Sequence, residues 1–190
     1  LLSYIIKVFD ENEIIYFLDY GTLIGCVRNR SFIPWDTDID ISVIDDSKLN
    51  KVLAIISKNN KNYNLVKESN NFYRLSFSKK NTLHIDISIR KKQSNNVYTD
   101  KYPEKYWGIH EKDLFPLKIV SFENLHVKIP QNSKKYLENG YGIGCITNPK
   151  THGEKLILRK KKTDKKIQQT SKKKNNKTTE KSKLIIGKIW

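Results

Sequence analysis

Methionine and long apolar runs are absent from this chain of 190 residues, and cysteine is scarce. The two cysteines, Cys26 and Cys145, stand too far apart for a zinc-binding pair, and the four histidines form no metal-ligand repeat. This usage favours a reducing compartment, so the cytoplasm is the expected location. No segment suits a secretory signal or a membrane span. Because position 1 is not methionine, we expect the natural chain to begin upstream of it. The sequence leaves open whether that upstream part carries a membrane anchor or a signal.

Acidic residues are rare near the carboxyl end of the chain. Between residues 159 and 183 there are twelve Lys or Arg residues against two acids, whereas the whole chain carries a net charge of +16. A segment of Lys, Asn, Thr and Ser cannot bury enough apolar surface to fold. We therefore predict one domain over residues 1–150 and a disordered lysine-rich tail over residues 151–190. The positive charge of this tail favours binding to nucleic acid or another anionic surface. The alternative is that the tail only increases solubility.

The most informative segment covers residues 16–43 and reads YFLDYGTLIGCVRNRSFIPWDTDIDISV. In it Asp36, Asp38 and Asp40 occupy alternate positions, and alternate side chains of a strand share one face at a spacing of about 6.5–7 Å. Carboxylates this close repel one another, and a hard cation relieves the repulsion. The pattern therefore predicts a site for Mg²⁺ or Mn²⁺, whose preferred ligands are oxygens. An exposed acidic strand end is the alternative.

A second segment, residues 83–90, reads LHIDISIR and repeats the alternation. His84 and Asp86 share one face of this predicted strand, and isoleucines share the other. If the two strands are neighbours, Asp86 joins Asp38 and Asp40 in a set of carboxylates that can hold two metal ions for phosphoryl transfer. The alternatives are a structural role for His84 and a strand-edge position for Asp86.

Gly21-Thr22 lies between an apolar strand, residues 14–18, and a helix-like run, residues 23–27. The start of a helix exposes unpaired N–H groups and a partial positive charge, which together bind phosphate. Glycine allows close approach of the backbone, and the threonine hydroxyl can cap the helix or contact the ligand. A strand, a Gly-Thr turn, a helix, an Asp-x-Asp strand and a later acid follow one another as in the nucleotidyltransferase fold.

These motifs resemble those of a known family. The run YFLDYGTLIGCVRNRSFIPWDTDIDI resembles the signature of the LicD/fukutin-related family, and DLFPLKIVSFENLHVKIPQNSKKYLENGYG, residues 113–142, is similar to its second conserved block. The resemblance implies an α/β nucleotidyltransferase-like domain, with a mixed sheet flanked by helices, and a divalent metal. It further implies transfer of a phospho-alcohol, such as phosphocholine or ribitol phosphate, from a CDP-activated donor to a glycan.

The resemblance also assigns site residues. The family's phosphate turn, metal-binding pair and downstream acid match Gly21, Thr22, Asp38, Asp40 and Asp86. Arg28 falls on the basic position after the first helix, where a guanidinium grips phosphate, and a solvated helix-end arginine is the alternative. Asp36 and His84 are secondary candidates, and Trp35 is expected to pack rather than to stack on a base. Thr37 stands where an acid is frequent, which puts an auxiliary role for that position in doubt.

Three functions follow from this interpretation. The leading one is a metal-dependent transferase in which Asp38 and Asp40 bind metal, while Asp86 binds a second metal or acts as the base. The second keeps the fold but makes the enzyme a nucleotidyltransferase acting on RNA, which the tail would grip in a salt-dependent manner. The third is a catalytically inactive, lysine-tailed binding module, against which the intact acids argue.

The remaining periodicities predict the framework around these motifs. Helices are predicted at residues 1–12, 47–58 and 133–139, and Gly140 ends the last of them. Strands are predicted at residues 64–68 and 72–78, and a hairpin at residues 117–129 with its turn near residues 123–124. Cys26 is expected in the core. The polar loop 91–116 carries the aromatic residues Tyr98, Tyr102, Tyr106 and Trp107. We expect it to set specificity by stacking on sugars, with a lid or a packed loop as the alternative.

Overall fold

The computed structural model of the chain describes residues 1–45, 47–58, 63–78, 80, 83–100, 102 and 104–147. Its contacts divide the chain into two units, Leu1–Asn148 and Pro149–Trp190, and all the described residues belong to the first. The predicted tail therefore lies outside the described residues, and its disorder and its role stay predictions. Within the described ranges, no helix has the length and apolar character needed to cross a membrane.

Six helices and nine strands form across the described residues. The helices are α1 (Leu2–Glu11), α2 (Tyr20–Asn29), α3 (Leu49–Lys58), α4 (Glu104–Trp107), α5 (Glu111–Leu114) and α6 (Ser133–Tyr141). The strands are β1 (Tyr16–Leu18), β2 (Asp38–Ile44), β3 (Asn64–Ser69), β4 (Phe72–Ser76), β5 (His84–Lys92), β6 (Val97–Thr99), β7 (Ile109–His110), β8 (Lys118–Phe122) and β9 (Leu125–Ile129). This mixture confirms the predicted α/β class.

The main sheet is mixed, with strand order β1-β2-β5-β4-β3. β2 and β5 run parallel at its centre, while the other pairs along this path are antiparallel. β6 pairs with β5, and β7 with β6, whereas β8 and β9 form a separate hairpin. The predicted adjacency of the two acidic strands is therefore confirmed, and their register places Asp38 opposite His84 and Asp40 opposite Asp86.

Alternation along β2 and β5 separates an apolar face from a polar one. Ile41, Val43, Ile85 and Ile87 are at most 1 % exposed on the apolar face. Core residues of α1 and α2 are buried as well, including Cys26, whose predicted core position is confirmed. Apolar side chains at alternate positions thus fix the sheet, and the acids of β2 and β5, Asp38, Asp40 and Asp86, lie together on the other face.

Several predicted boundaries were wrong. α2 begins at Tyr20, so that Gly21-Thr22 lies in its first turn, and Asp19 is the N-cap. α6 continues past Gly140 and ends at Tyr141, and its C-cap is Gly142, whose φ of 99° suits glycine. The predicted loop over residues 91–116 contains four short elements instead. Packing explains this difference, because Trp107 is 7 % exposed and lies against the rings of tyrosines from α2 and α6.

Gly140 lets α6 approach Trp107 closely. A Cβ atom at this position would lie 2.8 Å from Cε3 of Trp107 and closer still to Cζ3 and Cη2. The helix gains up to about 1 kcal/mol from alanine, but overpacking a core costs roughly 1–3 kcal/mol. We expect Gly140→Ala to lower the free energy of unfolding by about 1–2 kcal/mol in urea titrations. Asn139→Ala, at the exposed neighbouring position, should change it by less than about 0.5 kcal/mol, and equal stability of the two variants would contradict the contact.

Candidate metal centre

The candidate site lies on the polar face where β2 and β5 begin. Nε2 of His84 lies 3.4 Å from Oδ1 of Asp86 and 4.0 Å from Oδ2 of Asp38. One ligand atom from each of these three residues lies within 4.8 Å of the other two. The two carboxylates suit Mg²⁺ or Mn²⁺, while the imidazole favours a transition metal such as Mn²⁺ over Mg²⁺. The parallel register therefore brings together the donors of a cation site.

Asp40 lies beside this group and is oriented differently. Its Oδ2 accepts a hydrogen bond of 3.1 Å from the N–H of Gly21. Burial, together with the charges of Asp38 and Asp19, raises the pKa of Asp40 well above its usual value. The sequence predicted a set of Asp38, Asp40 and Asp86, but the described group of ligand atoms has His84 where Asp40 was expected. The metal-binding role of Asp40 stays a prediction.

Asp36 completes a cluster of four carboxylates. It ends a turn in which its N–H donates to the carbonyl of Ile33 at 2.9 Å. A Cβ atom at Gly21 would lie 2.7 Å from Oδ2 of Asp36, so this carboxylate covers the glycine. Burial, with the hydrogen bond and charge of Asp38, raises the pKa of Asp36 to about 6. Trp35 in the same turn is 77 % exposed, so the expectation that it packs was wrong.

Arg74 faces the cluster from β4 and was missed by the sequence analysis. Its Nε donates to Oδ1 of Asp86 at 2.9 Å, and its Nη2 donates to Oδ2 at 3.3 Å. The bidentate hydrogen bond to Asp86 raises the pKa of Arg74 above its usual value. The two residues meet because β4 and β5 pair with Arg74 opposite Asp86. Residues 72–76 give no signal for this contact unless the strand pairing is known.

Three hydrogen bonds fasten the start of α2 to β2. Asp19 donates its N–H to the carbonyl of Asp40 at 3.0 Å, and Gly21 donates to the Asp40 carboxylate. The third runs from the N–H of Asp40 to Oγ1 of Thr22 at 2.9 Å. Thr22 is 1 % exposed, and Asp19 caps the helix by accepting from the N–H of Tyr20. The helix is therefore capped by Asp19, and the expectation that Thr22 caps it was wrong. Phosphate binding at Gly21 and Thr22 stays a prediction.

The Thr22 hydroxyl thus joins two motifs of the site. Thr22→Val keeps the shape of the side chain but leaves the partly buried N–H of Asp40 without its Thr22 acceptor, a loss worth about 1–3 kcal/mol. We expect that decrease in the free energy of unfolding, measured by urea denaturation. Thr22→Ser retains the acceptor and should recover most of the difference. If valine and serine give the same stability, the hydrogen bond contributes nothing to the fold.

A buried arginine network, made of Asp19, Ser42, Arg90 and Tyr136, lies further along the same face. Arg90 and Asp19 are both 0 % exposed, and Nη2 of Arg90 lies 2.7 Å from Oδ2 of Asp19. Nε of Arg90 donates to Ser42 at 2.9 Å, and the Tyr136 hydroxyl donates to Oδ1 of Asp19 at 2.7 Å. Arg90 follows Asp86 by four positions on β5, so alternation placed it on the polar face without indicating its burial.

The backbone just after Asp19 is strained. Tyr20 has a φ of 41°, which is uncommon for a bulky residue. Nη2 of Arg90 donates to the Tyr20 hydroxyl at 3.3 Å, and the Tyr20 ring packs at 4.6 Å between centroids on Trp107. These contacts hold Tyr20 in place at the residue before Gly21. The network therefore supports the turn that carries the predicted phosphate site.

Arg28 lies in other contacts. Its Nε donates to the carbonyl of Ile146 at 2.9 Å, and its Nη2 donates to the carbonyl of Cys145. The side chain therefore joins the end of α2 to the chain beyond α6 and is not a solvated helix-end arginine. Its predicted role in gripping phosphate stays a prediction.

Residues 13–132 match the family model described as LicD/FKTN/FKRP, nucleotidyltransferase domain. Among curated proteins, the chain is 24 % identical over 156 residues to the ribitol 5-phosphate transferase FKRP of Homo sapiens, covering 77 % of this chain and 31 % of that protein. It is 29 % identical over 140 residues to an uncharacterized protein of Rickettsia prowazekii, covering 71 % of this chain and 50 % of that protein. The chain thus spans half or less of the length of these relatives.

A shorter match joins the chain to the lipopolysaccharide cholinephosphotransferase LicD of Haemophilus influenzae. The two are 35 % identical over 65 residues, covering 34 % of this chain and 24 % of that protein. Among solved structures, the lincomycin-bound lincosamide antibiotic adenylyltransferase LnuA gives a TM-score of 0.48 at 16 % identity, covering 77 % of this chain and 96 % of that one.

Proposed function

We propose, from the fact that this chain belongs to the LicD/FKTN/FKRP nucleotidyltransferase-domain family, that it is a metal-dependent transferase of phospho-alcohols. Two relatives carry names of this kind, a ribitol 5-phosphate transferase and a cholinephosphotransferase. The donor in this proposal is a CDP-activated phospho-alcohol, and the acceptor is a hydroxyl group of a glycan. A phosphocholine or a ribitol phosphate is the group transferred.

The parallel register of β2 and β5 is the observation that carries the proposal. It gathers Asp38, His84 and Asp86 within ligand distance of one another and sets Asp40 on the same face. In the proposal Asp38, His84 and Asp86 hold Mg²⁺ or Mn²⁺, which supplies charge neutralisation for phosphoryl transfer when bound. The proposal keeps the predicted metal-binding role of Asp40, whose carboxylate also orients the start of α2 through the N–H of Gly21, next to where the donor phosphates would lie. The four carboxylates repel one another, which favours occupation by a cation.

Thermal unfolding with and without ligands tests this function. The protein is heated with Mg²⁺ or Mn²⁺, alone and with CDP-ribitol, CDP-choline or CTP. A ligand present at 100 times its dissociation constant stabilises the native state by about 2.7 kcal/mol. For a domain of this size we expect a rise in Tm of roughly 5–10 °C with the correct CDP compound, and only in the presence of the metal.

Matched variants separate the site from general effects of charge. The Asp38→Asn/Asp40→Asn double variant should lose the shift that depends on the metal. Asp45→Asn removes one exposed carboxylate just after β2 and should keep the shift. The proposed function is wrong if no metal and no nucleotide raises the Tm of the wild-type protein, or if the double variant responds as the wild type does.

A further inference from the structure

Arg74 lies between the carboxylate cluster and solvent. Its guanidinium binds both oxygens of Asp86, yet the Arg74 side chain is 42 % exposed while the Asp86 side chain is 14 % exposed. The charged end of Arg74 is therefore accessible at the mouth of the site. A planar guanidinium that can bind a carboxylate through two hydrogen bonds can bind a phosphate in the same way.

The negative charge of the site favours a positively charged side chain as a phosphate ligand. Asp36, Asp38, Asp40 and Asp86 gather on one face, and a nucleotide diphosphate would bring further negative charge to it. Two other arginines near this region are bound elsewhere. Arg28 donates to backbone carbonyls, and Arg90 is 0 % exposed within the buried arginine network.

Asp86 is shared between two positively charged partners. A cation held by Asp38, His84 and Asp86 takes up a carboxylate oxygen that Arg74 now contacts. The cation and Arg74 therefore compete for the charge of Asp86. When the cation binds, the attraction between Arg74 and Asp86 weakens, and the exposed guanidinium becomes available to another anion.

We propose that Arg74 is a donor-phosphate ligand of this site. Its guanidinium pairs with Asp86 while no cation is bound, and moves to a phosphate oxygen of the nucleotide diphosphate once the cation occupies Asp86. Arg74 and Asp86 lie opposite each other on paired strands, so the Arg74 side chain starts this exchange beside the cation ligands. The inference rests on the proposed function, because it takes a nucleotide diphosphate as the ligand.

Two binding constants, measured separately by calorimetry, test the exchange. The first is the Kd for Mn²⁺ alone, and the second is the Kd for CDP at saturating Mn²⁺. In Arg74→Gln we expect Mn²⁺ to bind as tightly as in the wild type or more tightly, because a competitor of the metal is gone. CDP should bind at least about tenfold more weakly, because a charge-assisted hydrogen-bonded contact is lost. Arg74→Lys should give an intermediate Kd for CDP.

Lys67→Gln is the matched control for charge. Lys67 lies opposite Tyr73 in the β3–β4 pair, and its Nζ is 6.0 Å from the centre of the Tyr73 ring. Tyr73 precedes Arg74, so Lys67 and Arg74 lie on opposite faces of the sheet. Removing the Lys67 charge should leave both binding constants within about twofold of the wild type, as is usual for a distant exposed charge.

Three results would overturn the inference. Weaker Mn²⁺ binding in Arg74→Gln would mean that Arg74 orients Asp86 for the metal. Unchanged CDP binding in Arg74→Gln would mean that Arg74 does not contact the phosphates. Failure of the proposed function is distinguishable from both, because wild-type protein would then bind no CDP at saturating Mn²⁺, and the inference would fall with it.

Discussion

If the protein has the proposed transferase function, the Asp40→Asn variant is expected to keep its fold and to transfer at least about a thousandfold more slowly than the wild type. The sequence predicts that Asp40 binds the metal together with Asp38. Metal-assisted phosphoryl transfer depends on charge stabilisation worth several kcal/mol, and each 1.36 kcal/mol is about tenfold in rate. Removing the charge is not expected to weaken the fold, because burial and the charges of Asp38 and Asp19 raise the pKa of Asp40. The asparagine oxygen can still accept from the N–H of Gly21.

Stability and activity are therefore expected to separate in this variant. Its Tm without metal should equal or exceed that of the wild type, while transfer from the CDP donor that stabilises the wild type falls to background. Asp45→Asn removes the same charge just after the same strand and should retain the wild-type rate. An active Asp40→Asn would remove Asp40 from the catalytic machinery, and an unfolded one would show that its carboxylate is structural.

Arg90→Met is expected to lower the free energy of unfolding by about 3–5 kcal/mol. Removing one partner of a buried ion pair leaves the other charge uncompensated, and this is among the largest effects of a single substitution. Asp19, which is 0 % exposed in the wild type, and Asp100 would lose their ion-pair partner. Ser42 and Tyr136 would lose a shared hydrogen-bonding partner. The hydrophobic replacement fills most of the space, so the loss reports on charge and hydrogen bonding more than on a cavity.

A milder variant keeps this prediction measurable. Tyr136→Phe removes the hydroxyl that donates to Asp19 and should cost about 1–3 kcal/mol in urea titrations. Arg90→Met combined with Asp19→Asn should be less destabilised than the sum of the single variants, by about 0.5–3 kcal/mol. If Arg90→Met loses less than about 1 kcal/mol, the network contributes little to stability.

The centre of the site was predictable because it depends on the two-residue alternation of side chains along a β-strand. Strand alternation placed Asp38, Asp40, His84 and Asp86 on polar faces, and isoleucines at the intervening positions fixed which faces are buried. The echo between the two segments indicated adjacent strands, and the register confirms this. Local sequence was enough, because each strand carries its own pattern.

The partners of these acids were not predictable in the same way. Arg74 reaches Asp86 only through the pairing of β4 with β5, and Arg90 reaches Asp19 only because Asp19 is hydrogen-bonded to β2, the neighbour of β5. Such contacts join distant parts of the chain and leave no short-range pattern. The end of α6 and the elements of residues 91–116 were misjudged for the same reason, since Trp107 packs against α6.

The parallel pairing of β2 with β5 also determines when in folding the cation site comes into existence. Asp40 and Asp86 become neighbours only after α3, β3 and β4 have been accommodated in the chain between them. Contacts between parallel strands span long loops, and the entropy of closing those loops delays their formation. Until these strands pair, the donor atoms of a cation site stand far apart along the chain. An ion bound at the proposed site is therefore expected to act mainly on the rate of unfolding, by prolonging the lifetime of the native state, and to leave the rate of folding nearly unchanged.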